Sequence, residues 1–301
     1  NKVEHELRTI KSNNNQHKIF AISGCDKIVS KNNLWYILEK KYGREIACTI
    51  MPETYILNND NDIRILKKKF NNDLHILKKN VQRKKGLKLT KNLNEILNSK
   101  NENFKIAQKY RTDSFIINKR KFNLRIYMLV ICENNKRKVY IHEYGKCLYT
   151  SKDITNLNNT NFEENITDSY NTDPNIYKLN PLTLNDLKIY LNSNNYDSEK
   201  LFSNINNILF LLSQAMVPEL CNLDSLKHAT NFQLFGLDII FNDKMDPFIL
   251  EVNKGPDMKP KDNLDVKLKT KVQEDMFMLL NIIDIPNSEY KNKFNKLYES
   301  T

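Results

Sequence analysis

Phe235-Gly236-Leu237-Asp238-Ile239-Ile240 and, after a short polar break, Phe248-Ile249-Leu250-Glu251-Val252-Asn253 place acids inside otherwise apolar runs. An ionised carboxylate among Leu237, Ile239 and Ile240 is costly to bury unless something compensates it. The break Asn242-Asp243-Lys244-Met245 has turn composition, so residues 232–241 and 247–253 are expected to pair as an antiparallel hairpin. Period-two alternation sends Glu251 and Asn253 to one face and Leu250 and Val252 to the other, and Asp238 can join the first pair across the hairpin. Two carboxylates and an amide oxygen form a hard-oxygen set suited to Mg2+, which keeps several waters and binds substrate phosphates. The competing reading makes the three salt-bridged structural residues.

A second constellation lies upstream, in Lys121-Phe122-Asn123-Leu124-Arg125-Ile126-Tyr127. Alternation turns Lys121, Asn123 and Arg125 to one face and Phe122, Leu124 and Ile126 to the other. Paired cations beside a metal–phosphate site stabilise a transferring phosphate most strongly where water is excluded; otherwise they are a solvated strand face. Further upstream, residues 74–78 and 86–89 read as a hairpin, with Lys78 closing the first strand. Its loop, Lys79-Asn80-Val81-Gln82-Arg83-Lys84-Lys85-Gly86, can fold over phosphates. It lacks the GxxxxGK[ST] pattern, and a basic hairpin tip suits nucleic-acid contact equally well.

The rest of the chain fits around these pieces. Residues 33–42 have a helical pattern on Leu34, Ile37, Leu38 and Tyr42, and Met51-Pro52-Glu53-Thr54-Tyr55 starts an extended segment, since the residue before proline avoids the helical region. Strands are expected at 104–110, 122–132 and 138–142, and helices at 206–216 and 264–283. Hairpins interleaved with helices imply a mixed α/β (α+β) enzyme.

The 301 residues are 40% hydrophobic and 28% charged, ordinary for a globular enzyme. Forty-seven basic against thirty-six acidic residues give a net charge of +11, which attracts acidic polypeptides, nucleic acid or anionic lipid alike. No apolar run approaches the roughly 20 residues of a spanning helix, so a membrane is not expected as a partner. Cys25, Cys48, Cys132, Cys147 and Cys221 are odd in number and widely spaced, without a CxxC pair. Free thiols in a reducing, intracellular compartment are the expectation.

In chain order, Ser30-Lys31-Asn32-Asn33-Leu34-Trp35, Met51-Pro52-Glu53-Thr54-Tyr55, Ile76-Leu77-Lys78-Lys79-Asn80, Gln108-Lys109-Tyr110, Lys121-Phe122-Asn123-Leu124-Arg125, Phe235-Gly236-Leu237-Asp238 and Glu251-Val252-Asn253-Lys254-Gly255-Pro256 resemble the tubulin-tyrosine ligase and ligase-like family. The resemblance runs from about residue 30 to 256. It implies an ATP-grasp fold of antiparallel sheets, with an N-terminal lobe (1–57), a central lobe (58–118) and a C-terminal lobe carrying the metal site (119–301). It also implies ATP and Mg2+, a free amino acid, and tubulin or another acidic protein as acceptor, nucleic acid being disfavoured. The expected place of work is cytoplasmic, on the cytoskeleton. Lys78, with Gln82 and Arg83 in the loop, would hold nucleotide phosphates, and Gln108, Lys109 and Tyr110 would form the hinge beside adenine. Asp238, Glu251 and Asn253 would hold Mg2+ and nucleotide. Lys121, Arg125 and Glu251 would act on the transferring phosphate and the reacting carboxylate.

Two positions depart from the family pattern. Asn123 replaces the aspartate of KFDxR, and Leu148 stands where an arginine commonly follows Gly145 by three residues; Lys146 is the nearby alternative cation. The departures favour a second reading, a weak or inactive relative that holds acidic tails or nucleic acid. A third is an ATP-grasp ligase of a small carboxylate, disfavoured by the Met51-Pro52-Glu53-Thr54 and Lys121-Phe122 motifs.

Overall fold

A computed structural model describes residues 2–12, 14, 16–81, 86–167, 175–260, 262–285 and 289–301. Two sheets dominate, as the mixed α/β expectation requires. In the large one, strands Lys18–Ile19, Thr230–Phe241, Arg120–Glu133, Lys136–Tyr149 and Phe294–Ser300 lie side by side. Pro247–Lys254 and Ile116–Ile117 add to it, pairing with Thr230–Phe241 and Arg120–Glu133. All its pairings are antiparallel except that of Lys18–Ile19 with Thr230–Phe241. The small sheet is antiparallel throughout, ordered Thr54–Ile56, Ile106–Lys109, His75–Lys78, Leu87–Thr90. Its first strand falls before the expected lobe boundary at 57/58.

Both hairpins expected around the acids and the cations are present. The tight turn between Arg120–Glu133 and Lys136–Tyr149 is made by Asn134 (φ 50°) and Asn135 (φ 61°), the left-handed pair that matches strand twist and that asparagine tolerates well. The second strand runs to Tyr149, well past the expected 138–142, because Gly145 to Tyr149 continue the pairing opposite Phe122 to Ile126.

The sheet's two faces are covered differently, and this makes the site. Phe122, Leu124, Phe235 and Leu237 pack under helices Lys31–Ile50 and Ser198–Met216 through Trp35, Leu38, Leu209 and Leu212. On the opposite face Tyr127, Leu129, Ile131 and Leu234 are covered by helix Asn263–Leu279 through Leu268, Val272 and Met276. That helix covers only part of its face. Lys121, Asn123 and Arg125, on the same face of the same strand, line an open cleft instead. Among the described residues no helix is long and apolar enough to cross a membrane.

Two expectations are corrected. Cys132 and Cys221 form a disulfide, leaving Cys25, Cys48 and Cys147 free; two cysteines separated by 89 residues give no local signal of their meeting. Strand Pro247–Lys254 carries a register shift between Ile249 and Glu251, so Leu250 does not share the buried side of Val252 but lines the cleft with Glu251. A bulge adds one residue and breaks simple alternation.

Candidate active site

A row of charge crosses the large sheet. Glu251 stands opposite Asp238, Asp238 opposite Arg125, and Arg125 opposite Lys146, so directly paired residues put all four side chains on one face. Arg125 grips Asp238 with two bonds, Nε to Oδ1 at 2.6 Å and Nη2 to Oδ2 at 3.1 Å. Gly236 makes room for this grip, since a Cβ there would come within 3.0 Å of both Arg125 Cδ and Pro256 Cβ. Glu251 is met by Lys31 Nζ at 3.4 Å and accepts a bond from Asn253 Nδ2 at 3.0 Å.

Burial and the facing Glu251 hold the Asp238 carboxyl above its ordinary range, against the pull of Arg125. Burial acts on Glu251 in the same sense, but Lys31 and Lys78 outweigh it and keep that carboxyl low. Two acids that face each other on the cleft wall, with the proton favoured on one of them, are an arrangement that a divalent cation relieves. Among the described residues no three His, Cys, Asp or Glu side chains gather in a cluster that could hold a metal. Two carboxylates nevertheless suit Mg2+, whose remaining ligands are waters and phosphate oxygens. Asn253 turns its amide nitrogen to Glu251, so its oxygen would be available as a ligand only after that amide rotates.

Cations line the rest of the cleft, which has a volume of about 630 Å³. Lys78, buried at the end of its strand, donates to Gln108 Oε1 at 2.7 Å, and Gln108 in turn donates to Thr54 Oγ1 at 2.9 Å. Burial lowers the Lys78 ammonium to about 8. Lys121 donates to Tyr110 Oη at 2.7 Å and lies over the Tyr110 ring; burial first, then Lys78, lower it to about 7. Tyr110 Oη is also 2.9 Å from Asn165 O and Oδ1. Lys109 lines the cleft but sends its exposed side chain to Asp73 at 2.9 Å. Gln82 and Arg83 lie outside the described residues.

Lys78, Gln108, Lys109, Tyr110, Lys121, Arg125, Asp238, Glu251 and Asn253 are thus brought together in one cleft between the two sheets. Sequence reasoning gave no role to Lys31, whose position at the start of a helix reads as a solvated charge, although it is buried beside Glu251. It also missed Lys254, tethered to Asp26 at 2.8 Å. Lys146 does not reach the cleft: its ammonium is held 3.2 Å from Asp265 and over the Tyr177 ring. Asn123 and Leu148 are direct cross-strand neighbours in the cleft wall, and buried Asn123 Oδ1 has no hydrogen-bond partner among the described residues.

The sequence matches the tubulin-tyrosine ligase family over residues 8–293. It is similar to tubulin polyglutamylase ttll-4 of Caenorhabditis briggsae, 26% identical over 301 residues, covering 93% of this chain and 48% of the relative. It is similar also to tubulin glycylase 3B of Drosophila melanogaster, 25% identical over 228 residues, covering 72% of this chain and 30% of the relative. Tubulin polyglutamylase TTLL6 of Mus musculus is 26% identical over 213 residues, covering 66% of this chain and 25% of the relative. The chain spans about half the length, or less, of these curated relatives.

Proposed function

Because the chain belongs to the tubulin-tyrosine ligase family, we propose that it is an ATP-dependent carboxylate–amine ligase that joins an amino acid to tubulin or another acidic protein. Glutamate is the donor we favour over tyrosine, since the relatives above are named polyglutamylases and a glycylase. The observation that carries the reading is the row Glu251, Asp238, Arg125 facing Lys78 and Lys121 in one cleft. The net charge of +11 suits an acidic acceptor. Tubulin as acceptor would put the protein in the cytoplasm, on the cytoskeleton.

In this reading the fold is an ATP-grasp arrangement. The small sheet is the central lobe that closes over the nucleotide, residues 1–57 contribute the N-terminal lobe, and 119–301 form the C-terminal lobe. Backbone groups of Gln108 to Tyr110 border adenine, and Lys78 and Lys31 hold phosphates. Asp238 and Glu251, with Asn253 after its amide turns, would hold Mg2+, which would supply charge neutralisation for the phosphate oxygens. Asp238 holds Arg125 and Tyr110 holds Lys121, so both cations are pre-positioned and need little reorganisation as charge develops. A carboxylate oxygen attacks the γ-phosphorus and ADP departs; the amine then attacks the activated carbonyl carbon, and phosphate leaves as the amide forms.

The neutral pair Asn123 and Leu148 supports a second reading, a member of the family that grips acidic tails and ligates them weakly or not at all. The test is incorporation of labelled glutamate, glycine or tyrosine into purified tubulin, dependent on Mg2+ and ATP, with Glu251→Gln as control. We expect glutamate to be incorporated and the variant to be silent. ATP binding without incorporation into tubulin or any acidic acceptor would replace the ligase reading by the second one.

A further inference from the structure

On the large sheet, away from the proposed cleft, a pocket of about 230 Å³ has both sulfur-bearing residues of the Cys132–Cys221 disulfide in its wall. Lys136, Arg137, Lys227 and Asn231 line it as well. Cys132 stands directly opposite Arg137 on one neighbouring strand and Asn231 on the other, so the three side chains share a face. Arg137 donates to Leu220 O and Asn222 Oδ1, both at 3.0 Å, clamping the residues on either side of Cys221. Among the described residues the acidic side chain in the wall, Glu133, is paired with Lys138 at 2.6 Å. Lys227 is exposed and has no ion pair among the described residues. Asn231, 6% exposed, has a buried side-chain oxygen with no hydrogen-bond partner among the described residues.

We infer that the Cys132–Cys221 bond is an exchange site for a small anionic thiol of the glutathione class. Cations around a disulfide concentrate an anionic thiol and stabilise the thiolate that leaves. Cys132 is 5% exposed whereas Cys221 is partly open to solvent, so attack falls on Cys221 Sγ. The incoming sulfur bonds to Cys221, the Sγ–Sγ bond breaks, and its electron pair leaves with Cys132 as a thiolate beside Arg137. A second thiol attacks the mixed disulfide, releasing the Cys221 thiol and the oxidised small molecule. Two thiols are thereby oxidised by two electrons in total and the protein disulfide is reduced.

The exchange reaches the cleft through a short seam. Cys221 N donates to Ser23 O at 3.0 Å and Asn222 N to Ser23 Oγ at 3.1 Å, and three residues beyond Ser23, Asp26 holds Lys254 on the cleft wall. Opening the disulfide removes the covalent tie of the 220–222 segment to the sheet, leaving the Arg137 bonds to hold it, and so loosens that tether.

The folded protein should be treated, without denaturant, with reduced glutathione, neutral 2-mercaptoethanol and cationic cysteamine at equal thiolate concentration. Reduction should be fastest with glutathione and slowest with cysteamine, and the trapped adduct should map to Cys221. Lys227→Glu, an exposed change, should slow the glutathione reaction roughly three- to tenfold and leave the 2-mercaptoethanol reaction unchanged. Hydrogen exchange at residues 22–26 and 252–256 should quicken on reduction. The inference is overturned if the bond resists all three thiols in the folded state, if their rates are equal in wild type and Lys227→Glu, or if the adduct sits on Cys132.

Discussion

Arg125 and Asp238 face each other on adjacent strands and are joined by two charge-assisted hydrogen bonds, at 2.6 and 3.1 Å. Each side chain is largely buried, 18% and 12% exposed. Removing the guanidinium therefore strands an acid that already sits above its ordinary carboxylate range.

Arg125→Ala is expected to cost about 3 kcal/mol of stability as well as abolishing ligation. The sequence alone, which shows Arg125 on a cleft face without its partner, suggests that catalysis would suffer far more than stability. Arg125→Lys keeps a charge but loses the two-pronged grip, so it should recover most of the stability and little of the turnover. Denaturant unfolding and labelled-amino-acid incorporation on the same samples separate the two effects; an Arg125→Ala protein as stable as wild type would show that the pair does not hold the strands together.

Glu251→Gln should change nucleotide binding in opposite directions with and without Mg2+. Lys31 and Lys78 lie close enough to Glu251 to hold its carboxyl low, and losing that negative charge leaves more unbalanced positive charge for free ATP. Binding of ATP with chelator present should therefore hold or tighten, while Mg2+-ATP binding weakens by tenfold or more. Calorimetric titration reads both, and equal weakening in the two conditions would remove Glu251 from the proposed metal site.

The site was legible where charge interrupts an apolar strand. Asp238, Glu251, Lys121 and Arg125 all announce themselves in this way, and alternation placed the last two on the correct face. Leu250 was misplaced because the bulge at Ile249/Glu251 cannot be seen in a pattern of period two. Lys31 was passed over because a cation at the start of a helix has no local reason to be buried. The meeting of Cys132 with Cys221, like that of Lys146 with Asp265, is a fact of tertiary packing between segments far apart in the chain. The strand Phe294–Ser300, with only Phe294 buried and Leu297 and Tyr298 side by side, carries too little apolar alternation to be read as a strand at all.

Stability in the absence of ligand should rise with pH between about 7 and 9. Lys78 and Lys121 are lowered by burial to about 8 and about 7, well below an unfolded lysine near 10.5. Over that interval the unfolded chain binds more protons than the folded one, which makes the slope positive. Above pH 9 the thiols of buried Cys25 and Cys147 and half-buried Cys48, held above their ordinary value by desolvation, act in the opposite sense, since they stay protonated in the folded state alone. Lys121→Met should remove about half of the rise, on the order of 2 kcal/mol, in urea midpoints compared at pH 7 and pH 9. A flat profile in wild type would mean that both ammonium groups keep their charge.

Asp275 is the hub that fastens the C-terminal strand. Fully buried, it receives His142 Nε2 at 2.9 Å, Lys271 Nζ at 2.8 Å, the backbone N–H of Lys293 at 3.1 Å and the hydroxyl of Tyr290. Burial alone would raise its carboxyl, but Lys271, Tyr290 and His142 together hold it low. Such a depressed acid contributes stability above its unfolded value near 3.8, which is lost as pH falls through the folded one. Asp275→Ala leaves several buried donors without an acceptor and should cost about 3 kcal/mol or more. The loss should be local first, with Phe294–Ser300 losing hydrogen-exchange protection before Lys136–Tyr149, the strand it pairs with. Because the hub lies on the helix-covered half of the sheet and does not line the cleft, nucleotide affinity at a temperature where the variant stays folded should match wild type; a parallel fall in affinity would mean that the C-terminal strand, and not only the cleft walls, sets the geometry of the charge row.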